Sequence, residues 1–132
     1  MTLGVRAMVV DGSGEVLLIR HGYWPGWHFP GGGVERGETA LDSLGRELVE
    51  EGGIVLAGEP ELFGIYSNES EFRGDHIAFF VVRQFRRLPF EPTREISEAR
   101  FFSRRTIPAG TTAGTLRRLA EVEGGGARST RW

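Results

Sequence analysis

Cysteine is absent from this chain, and so is lysine. The first absence excludes disulfides, thiol catalysis and cysteine-ligated metal. The second makes every one of the 16 basic residues an arginine, and no functional reading rests on it. No run approaches the roughly 18 apolar residues of a membrane-spanning helix. Neither sign of charge dominates. The net charge of −2 gives no overall field toward nucleic acid or anionic lipid. The N-terminal stretch MTLGVRAMVVDG has no long apolar run and no small-residue cleavage site, which argues against a signal peptide. A cytoplasmic protein is expected, with no membrane and no nucleic-acid partner.

What is present is ordinary in bulk and unusual in one place. A chain of 132 residues, 39% hydrophobic and 26% charged, fits one globular domain. That size buries roughly two-thirds of the unfolded surface, enough for a real core. The unusual place is Gly31 to Ile54, GGGVERGETALDSLGRELVEEGGI. A glycine-rich turn leads into one acidic helix, expected over Thr39 to Glu51. Thr39 followed by Asp42 resembles a capping box with Asp for the usual Glu. Ala40, Leu41, Leu44 and Leu48 form an apolar stripe.

Three and four residues apart share a helix face, so Glu47 faces both Glu50 and Glu51. Like charges there destabilise a helix by roughly 0.2–0.5 kcal/mol per pair. Gly52 and Gly53 end the helix, which puts Glu50 and Glu51 at its negative dipole end. Something positive must offset both effects. Arg46 is one candidate, at the i,i+4 spacing from Glu50. A divalent cation is the other, since magnesium takes carboxylate oxygens and shares its shell with substrate phosphates.

Along the rest of the chain, Leu3–Val10 and Glu15–Arg20 flank the turn Asp11-Gly12-Ser13-Gly14 and read as a hairpin. His21–Gly33 reads as a loop rich in glycine and large rings. Trp27 and Phe29 fit as caps on the core, whereas Tyr23 and Trp24 suit stacking on a nucleobase. Glu61–Tyr66 reads as a strand. HIAFFVVRQF, from His76, reads as a central strand covered on both sides. A short strand is expected at Ala99–Phe102 and a helix at Thr111–Val122, with Leu116, Leu119 and Val122 at helical spacing. Residues 1–123 are expected to form the single domain, with 124–132 a frayed tail.

Gly32, five residues, Glu38, seven residues, then Arg46-Glu47-Leu48-Val49-Glu50-Glu51-Gly52-Gly53-Ile54 resembles the complete signature of the Nudix hydrolases. Every fixed position of that pattern is matched. The approach Trp27-His28-Phe29-Pro30, the His76 strand and the stretch from Glu95 to Phe102 are also placed as in that family. The resemblance implies an α/β/α sandwich with a mixed β-sheet. It implies hydrolysis of a phosphoanhydride in a nucleoside diphosphate linked to another moiety, with Mg²⁺ or Mn²⁺. Nucleoside triphosphates, ADP-ribose and nucleotide sugars all stay open as substrates. The similarity assigns Glu47, Glu50, Glu51 and the Gly32 carbonyl to the metal. It makes Arg46 the residue that orients the glutamates, and Glu38, with Gly31, a support of the loop–helix unit. Glu50, Glu47 and Glu95 are candidate bases, with Glu98 competing against Glu95. Arg20, Tyr23, Trp24, Phe72 and Arg73 are candidate substrate contacts. A homodimer stays open.

Two other readings compete. A catalytically silent nucleotide-binding or sensing module would keep the fold, but such modules usually carry a degenerate motif. Separately, Arg20-His21-Gly22 at a strand end resembles the tripeptide of the histidine phosphatases, in which the histidine is phosphorylated. That tripeptide is short, and the enzymes need a second histidine. His28 and His76 read as structural. No zinc site is expected without a cysteine or further histidine beside them.

Overall fold

The computed structural model describes residues 1–132. Strand β1 (Thr2–Val9) runs into the Asp11 turn and out into β2 (Val16–His21). Asp11 Oδ1 accepts from the Ser13 and Glu15 backbone N–H groups at 3.0 and 2.9 Å, which closes that turn. The hairpin reading needs correction, because pairing stops at a single bridge between Val10 and Val16. The strands then diverge into separate sheets. Both are buried along most of their length, at Val5, Ala7 to Val10 and Val16 to Ile19, and an isolated ribbon would leave one apolar face wet.

The first sheet also holds β4 (Gly31–Gly33), β6 (Glu61–Ser67) and β7 (Asp75–Val82), in the order β4-β1-β7-β6. β1 and β7 pair in parallel over eight residues, while the other pairs are antiparallel, so the sheet is mixed. Ile77 to Val82 are all buried, as the apolar run predicts. The second sheet places β3 (Trp27–His28) and β9 (Ile96–Phe102) on either side of β2. A small third sheet pairs β5 (Ile54–Leu56) with β8 (Phe85–Arg87). The segment read as a loop therefore contains β3 and β4. Strands of two and three residues are too short to carry a period.

Helix α1 (Ala40–Gly52) covers one face. Leu44 and Leu48 pack on Val5, Ala7, Val9, Ala78 and Phe80. Helix α2 (Ala113–Gly124) covers the other, where Leu119 meets Met8, Phe29, Phe79 and Phe102. This is the expected α/β/α sandwich. Leu41 and Leu116 are corrections: both are about half exposed, at the margins of their stripes. A Cβ on Gly45 would meet only Leu56 Cδ1, at 3.9 Å, so this glycine does not serve a tight packing contact.

The frayed tail is also corrected at its end. Ser67 N–H donates to Thr130 O at 2.8 Å, and Trp132 N–H donates to Ser67 O at 2.9 Å. The Trp132 indole lies 5.6–6.4 Å from the rings of Phe29, Tyr66 and Phe79. Gly114 makes room for it, since a Cβ there would lie 2.4 Å from the indole Nε1. Arg118, fully buried, donates to the Arg131 and Trp132 carbonyls at 3.1 Å. One large apolar residue anchors a segment whose composition reads as polar coil. No helix is long and apolar enough to cross a membrane.

Candidate active site

The unit Gly31–Gly53 folds as its caps dictate. Thr39 and Asp42 exchange both bonds of a capping box at 3.0 Å. Gly53 stops α1 at a φ of 65°, a left-handed conformation that favours glycine. Between those caps, Arg46, Glu47, Glu50 and Glu51 share the last two turns.

Arg46 is the hub. It grips Glu38 with two bonds, at 2.8 and 2.9 Å, and donates to Glu47 Oε1 at 2.8 Å. Glu50 lies 3.6 Å away at the i,i+4 position. Ser43 Oγ also donates to Glu38, at 2.7 Å. The Arg46 bonds, followed by the Ser43 bond, hold the Glu38 carboxyl down to about 2. The cation that offsets the helix-end acids in this state is therefore Arg46.

Glu51 sits apart from that hub. It is 6% exposed, and its Oε1 accepts the Gly31 N–H at 2.8 Å. Burial pushes its carboxyl up to about 7, against the opposing pull of the Gly31 bond. Burial also raises Glu47. The glycines are required by this geometry. A Cβ on Gly32 would lie 2.4 Å from Glu47 Oε1, and one on Gly31 would lie 2.0 Å from Val5 O.

Glu50 and Glu51 form one wall of a cleft of about 360 Å³. Thr93, Arg94, Glu95 and Ile96 form the other. Gly22 N–H donates to Glu95 O at 2.7 Å, and Thr93 Oγ1 accepts from Ile96 N–H at 3.0 Å, so the Glu95 backbone is fixed. Glu98, the competitor, is ion-paired with Arg20. The structure thus brings Glu95, and not Glu98, to the helix-end carboxylates. Arg94 enters the cleft with no sequence signal beyond its place in a proline-flanked loop.

Of the expected substrate contacts, Arg20 stacks over Trp27 at 5.3 Å as well as pairing with Glu98. Tyr23, Trp24 and Phe72 stand 70%, 66% and 63% exposed, and Arg73 is exposed beside Phe72. None of these lines the cleft. Trp27 and Phe29 are buried, as expected of core caps. The residue that sequence reading missed is Arg6. It lies on β1 opposite Gly31, and its charge acts on Glu47 and Glu51. An arginine inside the apolar strand LGVRAMVV was the available signal. His21 stacks on His28 with centroids 4.6 Å apart and planes 14° apart. Burial, then Arg6, lowers both imidazoles, His28 to about 4.

No three His, Asp or Glu side chains converge at metal-ligand spacing in this state. Arg46 and the Gly31 N–H hold the carboxylates instead. The donor set nonetheless suits a hard divalent cation. It offers three carboxylates at one helix end, two of them raised by burial, beside a glycine that only a missing side chain keeps open to Glu47.

Comparison with known proteins gives the family and the fold. An RNA pyrophosphohydrolase of Halorhodospira halophila is 46% identical over 50 residues, 38% of this chain and 28% of that protein. The chain spans about half, or less, of the length of the curated relatives it matches. Among solved structures, a MutT NUDIX hydrolase from Burkholderia pseudomallei superposes with a TM-score of 0.77 at 25% identity, over 92% of this chain and 97% of that one. An ADP-ribose pyrophosphatase from Streptococcus suis shares the fold, with a TM-score of 0.74 at 22% identity, over 98% of this chain and 97% of that one. The NUDIX domain model matches residues 1–121, and with the motif folded as described the chain belongs to the NUDIX family.

Proposed function

We propose that this chain hydrolyses a phosphoanhydride bond in a nucleoside diphosphate linked to another moiety, with water attacking phosphorus and Mg²⁺ or Mn²⁺ required. The observation that supports this most is the cleft in which Glu50 and Glu51 face Glu95, beside the Gly32–Glu47 contact. Glu47, Glu50, Glu51 and the Gly32 carbonyl would hold the metal. Bound there, a divalent ion neutralises the diphosphate and polarises the P–O bond.

The remaining work falls to side chains. Arg46 keeps Glu47 and Glu50 at one end of the helix, while Glu38, itself held by Ser43, fixes Arg46. Gly31 N–H holds one Glu51 oxygen, which leaves the other for the cleft. Glu95 enters none of the chain's ion pairs, so its carboxylate is free to take a proton from the attacking water. Arg94 supplies positive charge at the same wall. A nucleotide-type small molecule is the proposed substrate.

Two assays test this reading. Hydrolysis in ¹⁸O-labelled water should place the label on one phosphate product. The Glu95→Gln variant should lose roughly a hundredfold in kcat, and Glu98→Gln should keep near wild-type activity. Equal losses in the two variants would remove Glu95 from the mechanism. No hydrolysis of any nucleotide, with clear nucleotide-induced thermal stabilisation, would favour the silent binding module.

A further inference from the structure

Trp132 lies outside the residues that the NUDIX domain model matches, yet its indole packs on the core of the domain. It meets three rings edge-on: Phe79 at 5.6 Å, Tyr66 at 5.7 Å and Phe29 at 6.4 Å. The slot is shaped for it. Gly114 leaves the space beside the indole nitrogen, and the fully buried Arg118 guanidinium lies over both Tyr66 and Trp132, at 4.1 and 5.1 Å. Backbone bonds to Ser67 hold the same segment on the edge of β6.

Of the three rings, Phe29 is the one that leads to the motif. Phe29, Pro30 and Gly31 are consecutive and all buried. Pro30 O accepts the Ala7 N–H at 3.1 Å, and the Gly31 N–H donates to Glu51 Oε1 at 2.8 Å. Upstream, Trp27 is clipped to the start of α2. Its N–H donates to Gly110 O at 3.1 Å, and its carbonyl accepts the Thr112 N–H at 2.9 Å. Backbone bonds thus hold both ends of the stretch from Trp27 to Gly31. The Phe29 ring between them is held by packing, against Phe79 at 5.3 Å and against Trp132. Gly31 has no slack on the β1 side, where even a Cβ would lie 2.0 Å from Val5 O. A core packed to this density passes on a displacement instead of absorbing it. A hole at Trp132 would let Phe29 shift, and Gly31 lies two residues further along the same buried chain.

We propose that Trp132 is a positioning residue for the motif: through Phe29 it holds the Gly31 N–H on Glu51. The inference rests on the proposed phosphoanhydride hydrolysis and extends its machinery to a residue beyond the matched domain. Trp132 does not line the cleft, so it acts only through the chain that it braces.

The test uses the full chain with Trp132→Ala, Trp132→Phe and Val81→Ala. Val81 is buried in the same cluster on β7 and serves as the control for lost core volume. Hydrogen exchange, followed by NMR in chelator well below each melting temperature, reads the coupling without turnover. The Gly31 amide is compared with the Val10 amide, which donates to Val82 O at 2.9 Å. Lower global stability speeds both amides together, whereas a loosened Gly31–Glu51 bond speeds Gly31 alone. Trp132→Ala should speed Gly31 at least about tenfold more than Val10, and Val81→Ala should leave their ratio unchanged. With Mg²⁺, kcat should fall roughly tenfold in Trp132→Ala while KM stays within about threefold, and Trp132→Phe should restore most of the loss. Parallel acceleration of the two amides in Trp132→Ala, or an equal kcat loss in Val81→Ala, would overturn the positioning role. A wild type that hydrolyses no nucleotide would overturn the hydrolase reading instead, and the Gly31 exchange would still decide whether Trp132 holds that bond.

Discussion

Replacing Glu51 by Gln should make the metal-free protein more stable at neutral pH while removing its activity. Glutamine keeps the shape and still accepts the Gly31 N–H, which is 2.8 Å from Glu51 Oε1. It removes only the carboxylate charge. Glu51 is 6% exposed, and burial lifts its carboxyl from 4.5 to about 7. A raised carboxyl favours the folded state while it is protonated. The folded chain binds more protons than the unfolded chain between pH 4.5 and 7, so stability falls as pH rises through that window. A tenfold change in proton affinity is worth about 1.4 kcal/mol, so ionised Glu51 costs about 3 kcal/mol near neutral pH.

Glu51→Gln and wild type should therefore match near pH 4.5 and separate toward pH 7.5. The variant should gain about 3 kcal/mol there, roughly 10 °C in melting temperature for a domain of this size. His28, lowered to about 4, has the opposite dependence, with stability lost as pH falls from 6.5 toward 4. That contribution is common to both proteins and cancels in the difference. The assay is thermal and urea unfolding in chelator at several pH values. A difference that does not vary with pH, or a variant less stable at pH 7.5, would refute the burial argument.

The same contacts set three other outcomes. Gly32→Ala puts a Cβ 2.4 Å from Glu47 Oε1, so kcat should fall by about a hundredfold while denaturant midpoints barely move. Arg46→Ala frees Glu38, and its carboxyl, now about 2, should return toward 4.5 in an NMR titration. Trp132→Ala leaves a hole beside Phe29, Tyr66 and Phe79 and should cost about 3 kcal/mol in urea unfolding.

The motif was legible because its chemistry is local. Caps, helix period and acid spacing lie within Gly31–Ile54, and α1 and its carboxylates appear where those cues place them. The long apolar run from Ile77 likewise announced a covered strand. What stayed hidden depends on contacts distant in sequence. That Glu95, and not Glu98, lines the cleft goes with Arg20, which pairs with Glu98 from β2. The divergence of β1 from β2 depends on β7 and β9, which claim their edges. Trp132 is one ring after a glycine-rich segment, and only Gly114 and the Phe79 cluster give it a place. Arg6 was not singled out, because Gly31, its partner across the ladder, arrives from elsewhere in the chain.

The most direct test of the central claim is product release from a panel of nucleoside triphosphates, ADP-ribose, nucleotide sugars and dinucleoside polyphosphates. It should be run with Mg²⁺, with Mn²⁺ and with chelator, on wild type and on Glu51→Gln. The account predicts hydrolysis by wild type that disappears both on chelation and in the variant. Hydrolysis that survives chelation, or full activity in Glu51→Gln, would contradict it.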